Sequence, residues 1–128
     1  MPETTNPAIE WFKQVDYDFG TAEAMFKSRR YIYAVFMCHL CIEKGLKGII
    51  ANRDELPPRS HDLVFLFERA ILNGNEEYAG FIEALNEVSV PTRYPDELDR
   101  LVASYPRKRT FEIIGQTKEV LTWLKSCL

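Results

Sequence analysis

The fold of this chain is decided by one stretch of its sequence, Ala34-Val35-Phe36-Met37-Cys38-His39-Leu40-Cys41-Ile42-Glu43-Lys44-Gly45-Leu46-Lys47. The first two turns are apolar around the whole circumference, and the following turns place Glu43, Lys44 and Lys47 along one flank. A helix that is apolar on all sides must be surrounded by protein. The stretch therefore predicts either the central helix of a bundle or a helix at a subunit interface.

The size and composition of the chain indicate one globular domain. Its 128 residues are 46% hydrophobic and 27% charged, with no internal repeat and no low-complexity tract. A chain of this length can bury a core without metals or disulfides. We therefore predict a single domain over residues 1–128.

The sequence also predicts a cytoplasmic protein. Residues 1–5 lack the basic and apolar segments of a signal peptide, and the apolar run that begins at Ala34 is far too short to span a bilayer. Three cysteines are an odd number, and two of them, Cys38 and Cys41, lie in a predicted helix. This distribution favours reduced thiols over a disulfide framework.

The charge balance argues against nucleic-acid binding by the protein as a whole. The net charge is −3 and the isoelectric point is about 5.4, so there is no overall attraction for phosphate. One compact basic cluster exists, Arg107-Lys108-Arg109. We interpret it as a solvated helix start rather than as an RNA contact.

Apolar residues at helical spacing predict two long helices in the first half of the chain, residues 7–28 and 31–52. Asn6 is a good N-cap for the first helix, and Pro7 suits its first position. The short basic corner at residues 28–30 predicts an antiparallel hairpin. The two apolar stripes consist of Ala8, Phe12, Val15, Phe19, Ala22 and Phe26, and of Ile32, Val35, His39, Ile42, Leu46 and Ile49.

Prolines and turn residues delimit a third helix. Pro57 and Pro58 place residues 53–60 in a loop, because neither can lie inside a helix. Ser60 is predicted to cap the helix that follows, and residues 73–75 (Asn-Gly-Asn) are predicted to end it. Its predicted inner face consists of Leu63, Leu66, Phe67, Ala70 and Ile71.

The remainder of the chain predicts a fourth helix, an extended segment at residues 90–95, a short helical turn begun by Asp96, and a last long helix over residues 107–128. No segment shows the two-residue alternation of a half-buried strand. The predicted fold is an all-α, up-and-down bundle of four to five helices. The predicted inward residues of the last helix are Ile114, Thr117, Leu121, Leu124 and Leu128.

His39, Cys38 and Cys41 could in principle bind a metal. Zinc requires four ligands, and the chain has no second Cys-x-x-Cys pair to complete them. A redox pair would lie at the start of a helix after a strand, whereas this pair lies in mid-helix. We therefore predict packed cysteines and a core or interface histidine, with no metal and no cofactor.

Glu43, Lys44 and Lys47 allow two interpretations. Glu43 and Lys47 are four residues apart in the favourable order, which suits an ordinary surface ion pair worth about 0.3–0.5 kcal/mol. Alternatively, the lysines border a pocket for an anionic ligand.

Two further segments could contact a ligand. Ser60-His61-Asp62 lies at a helix start, where a phosphate could bind beside His61, although Ser60 and Asp62 could equally be simple caps. Arg93-Tyr94-Pro95 lies on a stiff segment, where the guanidinium suits a phosphate and the ring suits a base. The alternative for Arg93 is an ion pair with Asp16 or Asp18, with Tyr94 packed on the core.

Three of these segments, in this order, resemble the HEPN domain. Phe36 to Lys47 is similar to the family's aromatic-rich turn followed by Glu-Lys-x-x-Lys. His61-Asp62-Leu63 is similar to its His-Asp-Leu motif, and Arg93-Tyr94-Pro95-Asp96 to an Arg-Tyr-Pro segment of one prokaryotic branch. The order and spacing of the three segments carry the resemblance, which spans nearly the whole chain.

The resemblance implies a bundle similar to the helical domain of aminoglycoside nucleotidyltransferases, usually assembled as a homodimer. Many HEPN proteins are encoded with a minimal nucleotidyltransferase and act with it as a toxin–antitoxin pair or a nucleotide-handling complex. Members that cleave RNA carry an arginine and a histidine separated by four to six residues. Two subunits then form one shared, metal-independent ribonuclease site.

This chain departs from the ribonuclease spacing. One residue separates Arg59 from His61, and seven residues separate Arg53 from His61. Eight residues separate Arg30 from His39. The resemblance therefore favours a module without catalytic activity.

The leading hypothesis is a homodimeric module that binds a nucleotide, a partner nucleotidyltransferase, or both. The alternative is a divergent ribonuclease toxin with His61 as general base and Arg93 or Arg59 facing the phosphate. A third hypothesis is an interaction domain without a ligand. The predicted ligand-binding residues are Glu43, Lys44, Lys47, His61, Asp62, Arg93 and Tyr94.

Overall fold

A computed structural model describes residues 6–70, 72, 76–88 and 95–128, and these form six helices. The helices are α1 (Pro7–Lys27), α2 (Tyr31–Ala51), α3 (Leu63–Arg69), α4 (Glu76–Asn86), α5 (Pro95–Ser104) and α6 (Arg107–Ser126). The described residues contain no strand. The predicted all-α bundle is confirmed.

Helices α1 and α2 form the predicted antiparallel hairpin. The Asn6 side chain accepts a hydrogen bond from the Ala8 amide at 2.9 Å, which caps α1 as predicted. The corner turns at Arg29, which adopts a φ of 64°. The early part of α1 lies against the late part of α2, and the late part of α1 against the start of α2, as the Gly48–Phe12 and Tyr31–Phe26 contacts show.

Helix α2 is the centre of the bundle. Its predicted apolar stripe is buried along its full length, from Ile32 to Ile49, and His39 lies within that stripe. Helices α1, α3 and α6 all pack against it. A methyl group at Gly45 would lie 3.0 Å from Leu124, so the glycine permits close approach of α2 and α6. The central position predicted from the opening stretch is confirmed.

The second half of the chain departs from prediction in three places. The N-cap of α3 is Asp62 rather than Ser60, so the helix begins at Leu63. The short helical turn expected from Asp96 is a ten-residue helix that begins at Pro95. Leu128 is 51% exposed because α6 ends at Ser126, whereas the predicted Thr117, Leu121 and Leu124 are buried.

Some predictions concern residues outside the described part of the chain. They are the Asn73-Gly74-Asn75 helix end, the inward position of Ile71, and the extended segment with Arg93 and Tyr94. Among the described helices, none combines the length and hydrophobicity that crossing a membrane requires.

Candidate functional site

Four polar side chains meet where the middle of α2 faces the segment that leads into α3. They are His39, Glu43, Lys47 and His61, and we refer to them as the Glu43 cluster. The helical period brings the first three to one face of α2, because they are four residues apart. The loop after α2 returns His61 to the same face.

Glu43 is the centre of this cluster. Its Oε1 atom lies 2.9 Å from His61 Nδ1 and 4.0 Å from His39 Nδ1. Its Oε2 atom accepts a hydrogen bond from Lys47 Nζ at 3.2 Å. Both carboxylate oxygens therefore have a partner, and two of the neighbouring groups are imidazole rings.

The Glu43–Lys47 pair is buried. Only 4% of Glu43 and 7% of Lys47 are exposed to solvent, and the ammonium group also lies 6.0 Å from the centre of the Trp11 ring. The interpretation as an ordinary surface pair was therefore wrong. Periodicity places both residues on one face of α2, but it does not show that the α3 segment and α1 cover that face.

The two histidines occupy opposite environments. His39 is 2% exposed, and no hydrogen bond joins its Nε2 atom to another of the residues that the structure describes. Burial lowers the pKa of His39, an effect that the nearby Glu43 carboxylate opposes and His61 reinforces. The His61 side chain is 75% exposed. The cluster therefore runs from a buried imidazole with a lowered pKa to an imidazole that solutes can reach.

Lys44 does not join the cluster. Its Nζ atom donates a hydrogen bond to Asp18 Oδ2 at 2.7 Å, which connects α2 to α1. Lys44 and Lys47 are three residues apart, slightly less than one helical turn, so their directions differ by about 60° around the helix axis. Each lysine therefore meets a different carboxylate. Both lysines predicted to border an anion pocket are thus paired with an acidic group.

Asp62 has a structural role as the cap of α3. Its Oδ1 atom accepts hydrogen bonds from the amides of Val64 and Phe65, at 3.0 and 3.2 Å, and from Asn86 Nδ2 at 3.1 Å. Asn86 in turn accepts a hydrogen bond from the Leu63 amide at 2.7 Å. These contacts fix the start of α3 against the end of α4, and thereby fix the backbone that carries His61.

The arginines near His61 in the sequence differ in their surroundings. The Arg53 guanidinium donates to the carbonyl oxygens of Ala70 and Arg69, at 2.7 and 2.9 Å, so it completes the C-terminal end of α3. Arg59 is exposed. Arg93 and Tyr94 lie outside the described residues. The two aspartates that were suggested as partners of Arg93 each pair with a lysine. Asp16 Oδ1 lies 2.8 Å from Lys125 Nζ, and Asp18 pairs with Lys44.

The cysteines of α2 are core residues, as predicted. Cys38 and Cys41 are fully buried, and the Cys41 thiol points at the Val15 carbonyl oxygen, 3.6 Å away. Burial raises the pKa of the Cys38 thiol to about 11 and raises that of Cys41 as well. Within the described ranges, no group of three or more His, Cys, Asp or Glu side chains is arranged to hold a metal ion.

An apolar groove of about 370 Å³ lies on the outer side of the α1–α2 hairpin. Tyr33, Met37 and Leu40 form one stripe of α2 that the other helices leave partly uncovered, and Tyr33 is 41% exposed. Sequence analysis predicted that α2 is apolar on all sides but did not locate the uncovered strip. The groove is lined by Thr21, Met25, Tyr33, Phe36, Met37, His39 and Leu40.

Comparison with known proteins supplies a family and a fold. The model of the HEPN domain matches residues 8–127. The crystal structure of TT1696 from Thermus thermophilus superposes with a TM-score of 0.85 at 22% identity, over 97% of this chain and 100% of that one. ST0689, an archaeal HEPN homologue, superposes with a TM-score of 0.76 at 23% identity, over 95% of this chain and 98% of its own. No curated protein matches the sequence.

Proposed function

This chain belongs to the HEPN domain family, and we propose that it is a non-catalytic binding module that works as a homodimer with a minimal nucleotidyltransferase as partner. The observation that carries the proposal is the apolar groove on the α1–α2 hairpin. The groove is open to solvent although one of its walls is α2, the most apolar of the described helices. Exposed apolar surfaces of this kind mark sites of contact with a protein or a ligand.

A second copy of the chain is the proposed occupant of the groove. A stripe at positions 33, 37 and 40 is the pattern by which one helix packs against another. In a symmetric dimer the same stripe would serve both subunits, so one surface satisfies both partners. The minimal nucleotidyltransferase would then bind the dimer, as in the toxin–antitoxin pairs of this family.

Sedimentation velocity of the purified chain tests the dimer. The chain is expected to sediment as a dimer, and Tyr33→Arg is expected to sediment as a monomer because the new charge would be buried at the interface. Phe65→Arg is the matched control, since Phe65 on α3 is 44% exposed and Tyr33 is 41% exposed. A monomeric wild type, or equal effects of the two substitutions, would contradict the proposal.

We propose that a nucleotide bound by this module contacts His61. This side chain is exposed and is held in one orientation by Glu43. Lys44 and Lys47 are neutralised by acidic partners. Arg93 would therefore bind the phosphate of the nucleotide, and Tyr94 would stack on its base. Asp62 would only position the loop.

Thermal melting against a panel of nucleotides tests this ligand. A nucleotide at a hundredfold excess over its Kd should stabilise the fold by about 2.7 kcal/mol. The shift is expected to disappear in His61→Ala and Arg93→Ala and to persist in Lys44→Ala. A shift that persists in both of the first two variants would place the nucleotide elsewhere, and no shift with any nucleotide would leave protein partners as the only ligands.

A divergent ribonuclease is the second candidate function, and one observation favours it. The Glu43 carboxylate holds His61 Nδ1 at 2.9 Å while the ring is largely exposed. A carboxylate that orients an accessible imidazole is the arrangement of a general base. Arg93 or Arg59 would then face the phosphate.

An RNA cleavage assay in the presence of a chelator separates the two candidates. The non-catalytic module is expected to leave a labelled single-stranded RNA intact under conditions in which it binds its partner. Cleavage that is lost in both His61→Ala and Glu43→Gln would instead establish the ribonuclease. Cleavage that survives both substitutions would point to a contaminating nuclease.

A further inference from the structure

A second polar surface lies at the opposite end of the α1–α2 hairpin from the Glu43 cluster. Phe26, near the end of α1, packs on Tyr31 and Phe111, with ring centroids 5.5 and 5.8 Å apart. The Arg107 guanidinium lies over the same ring, 5.2 Å from its centre. We refer to these four residues and to the cations beside them in the chain (Lys27, Arg29, Arg30 and Lys108) as the Phe26 patch.

The patch joins two basic segments that are far apart in the sequence. Lys27, Arg29 and Arg30 follow Phe26 directly, and Lys108 follows Arg107. All five cations are exposed. They are five of the 16 lysines and arginines of the chain, so this corner is basic although the protein as a whole is acidic.

These cations lack the acidic partners that neutralise Lys44 and Lys47. Within the part of the chain that the structure describes, no ion pair involves any of the five. Glu23 and Glu112 are the carboxylates closest in sequence, each four residues from a lysine of the patch. No ion pair among the described residues involves either of them. Arg109 is turned away, since it lies over the Tyr105 ring and donates to the Ser104 carbonyl oxygen.

An exposed ring completes the surface. Phe111 is 63% exposed although it is a large apolar side chain. Its contact with Phe26 holds it in place without covering it. The result is an exposed aromatic ring beside lysines and arginines that form no ion pair with another described residue.

We propose that the Phe26 patch binds single-stranded nucleic acid, which replaces the interpretation of Arg107 and Lys108 as part of a solvated helix start, because the packing of Phe26 brings them beside a second basic segment. The lysines and arginines would neutralise backbone phosphates, and an unpaired base would stack on Phe111. A duplex offers no free base face to this ring. An acidic peptide would use the charges but would have no need of an exposed phenyl group.

The test measures binding of the full-length protein to labelled oligonucleotides of about a dozen nucleotides by fluorescence anisotropy. Single-stranded RNA and single-stranded DNA form separate arms, which identify the sugar, and a duplex of the same sequence is a third arm. The single strands are expected to bind more tightly than the duplex. Binding is expected to weaken as salt rises, because phosphate contacts release counterions.

Lys108→Glu and Lys118→Glu form a matched pair for the charges. Both lysines are exposed residues of α6, and both substitutions change the net charge equally, but only Lys108 lies in the patch. Lys108→Glu is expected to weaken binding and to reduce the slope of log K against log salt by about 0.7 for each phosphate contact that is lost. Lys118→Glu is expected to bind like the wild type.

Phe111→Ala and Phe65→Ala form the matched pair for the ring. Both residues are exposed phenylalanines on helices, and Phe65 lies on α3. Loss of one stacked base should weaken binding about 5- to 150-fold in Phe111→Ala only, whereas Phe111→Trp should retain it. Circular dichroism of each variant confirms that the fold is intact.

Three results would overturn the proposal. The first is no binding of any single strand at low salt. The second is equal losses in the two members of either matched pair, which would mean that the patch is not the binding surface. The third is equally tight binding of polyglutamate, which would identify an acidic protein segment as the natural partner.

Discussion

The Glu43 cluster and the Phe26 patch both contain charged side chains, but they place those charges in opposite surroundings. In the cluster, the charges of Glu43 and Lys47 are buried and opposite in sign, and the two groups lie 3.2 Å apart. In the patch, the charges are exposed and of one sign, and their one described contact is the stacking of Arg107 on Phe26. The cluster lies within the bundle, whereas the patch lies at its corner.

This contrast shows which charges the fold itself requires. Burying an ion is costly unless it is paired, so the Glu43–Lys47 pair must be complete for the bundle to be stable. An exposed cation costs little to leave unpaired and contributes little to stability. Substitutions in the cluster should therefore affect mainly folding, and substitutions of the patch cations should affect mainly binding.

Glu43→Ala should have the largest effect on stability. Removal of the carboxylate leaves the Lys47 ammonium buried and unpaired, which should cost about 3–5 kcal/mol of unfolding free energy. Glu43→Gln should cost less, because it keeps a hydrogen-bond acceptor. Urea denaturation measures both. Glu10→Ala is the control, since Glu10 forms an exposed pair with Lys13, and it should cost less than about 1 kcal/mol.

A loss below about 1 kcal/mol in Glu43→Ala would contradict this account. It would mean that Lys47 can reach solvent or another carboxylate at little cost. The Glu43 cluster and the Phe26 patch would then differ in their location in the fold but not in their contribution to the unfolding free energy.

The buried end of the cluster should make stability depend on pH. Because the folded state lowers the pKa of His39 below its ordinary 6.5, the unfolded chain takes up a proton first as the pH falls. The stabilising contribution is therefore complete above about pH 6.5 and is lost as the pH falls through the lower folded pKa. In His39→Gln, the unfolding free energy should fall less between about pH 7.5 and pH 5.5 than it does in the wild type.

Nuclear magnetic resonance provides a direct check of that dependence. The ring protons of His39 should titrate with a midpoint below 6.5 in the folded protein. A midpoint above 6.5 would mean that the attraction of Glu43 exceeds the effect of burial. In that case the direction of the stability change would reverse.

Asp62 should have an intermediate effect, because it caps a helix and lies outside the ion-pair network. Asp62→Ala should cost about 1 kcal/mol, within a range of about 0.5–2 for the loss of an N-cap. Asp62→Asn should be nearly neutral, since asparagine caps equally well. Urea denaturation measures both, and a large loss in Asp62→Asn would show that the carboxylate charge itself is needed.

The sequence predicted the parts of the fold that local patterns govern. The stripe from Ile32 to Ile49 identified the central helix because helical periodicity alone brings those residues to one face. The cap at Asn6 and the turn at residues 28–30 were predictable for the same reason. The position of the α3 cap was wrong by two residues, because Ser60 and Asp62 have similar capping propensities and the contact with Asn86 favours Asp62.

The two surfaces were less predictable because they depend on tertiary contacts. Nothing local to Glu43 shows that a loop will bring His61 within 2.9 Å of it. Likewise, the sequence presents Arg29 and Arg107 as separate basic segments, and only the packing of Phe26 on Phe111 places them at one corner. The exposure of Phe111 could be suspected because this residue is absent from the apolar stripe of α6. The base stacking that we propose for it could not be predicted from the sequence.

Arg107 should have the smallest effect on stability, and it provides the sharpest comparison with Glu43. Its one described interaction is the cation–π contact with Phe26, which at an exposed position is worth about 0.5–1 kcal/mol. Arg107→Ala should therefore reduce the unfolding free energy by no more than that, and Lys108→Ala should leave it unchanged. Urea denaturation of the two variants measures this difference directly. A loss above about 2 kcal/mol in Arg107→Ala would show that the guanidinium holds the corner of the bundle together, because exposed substitutions away from structural contacts rarely cost so much.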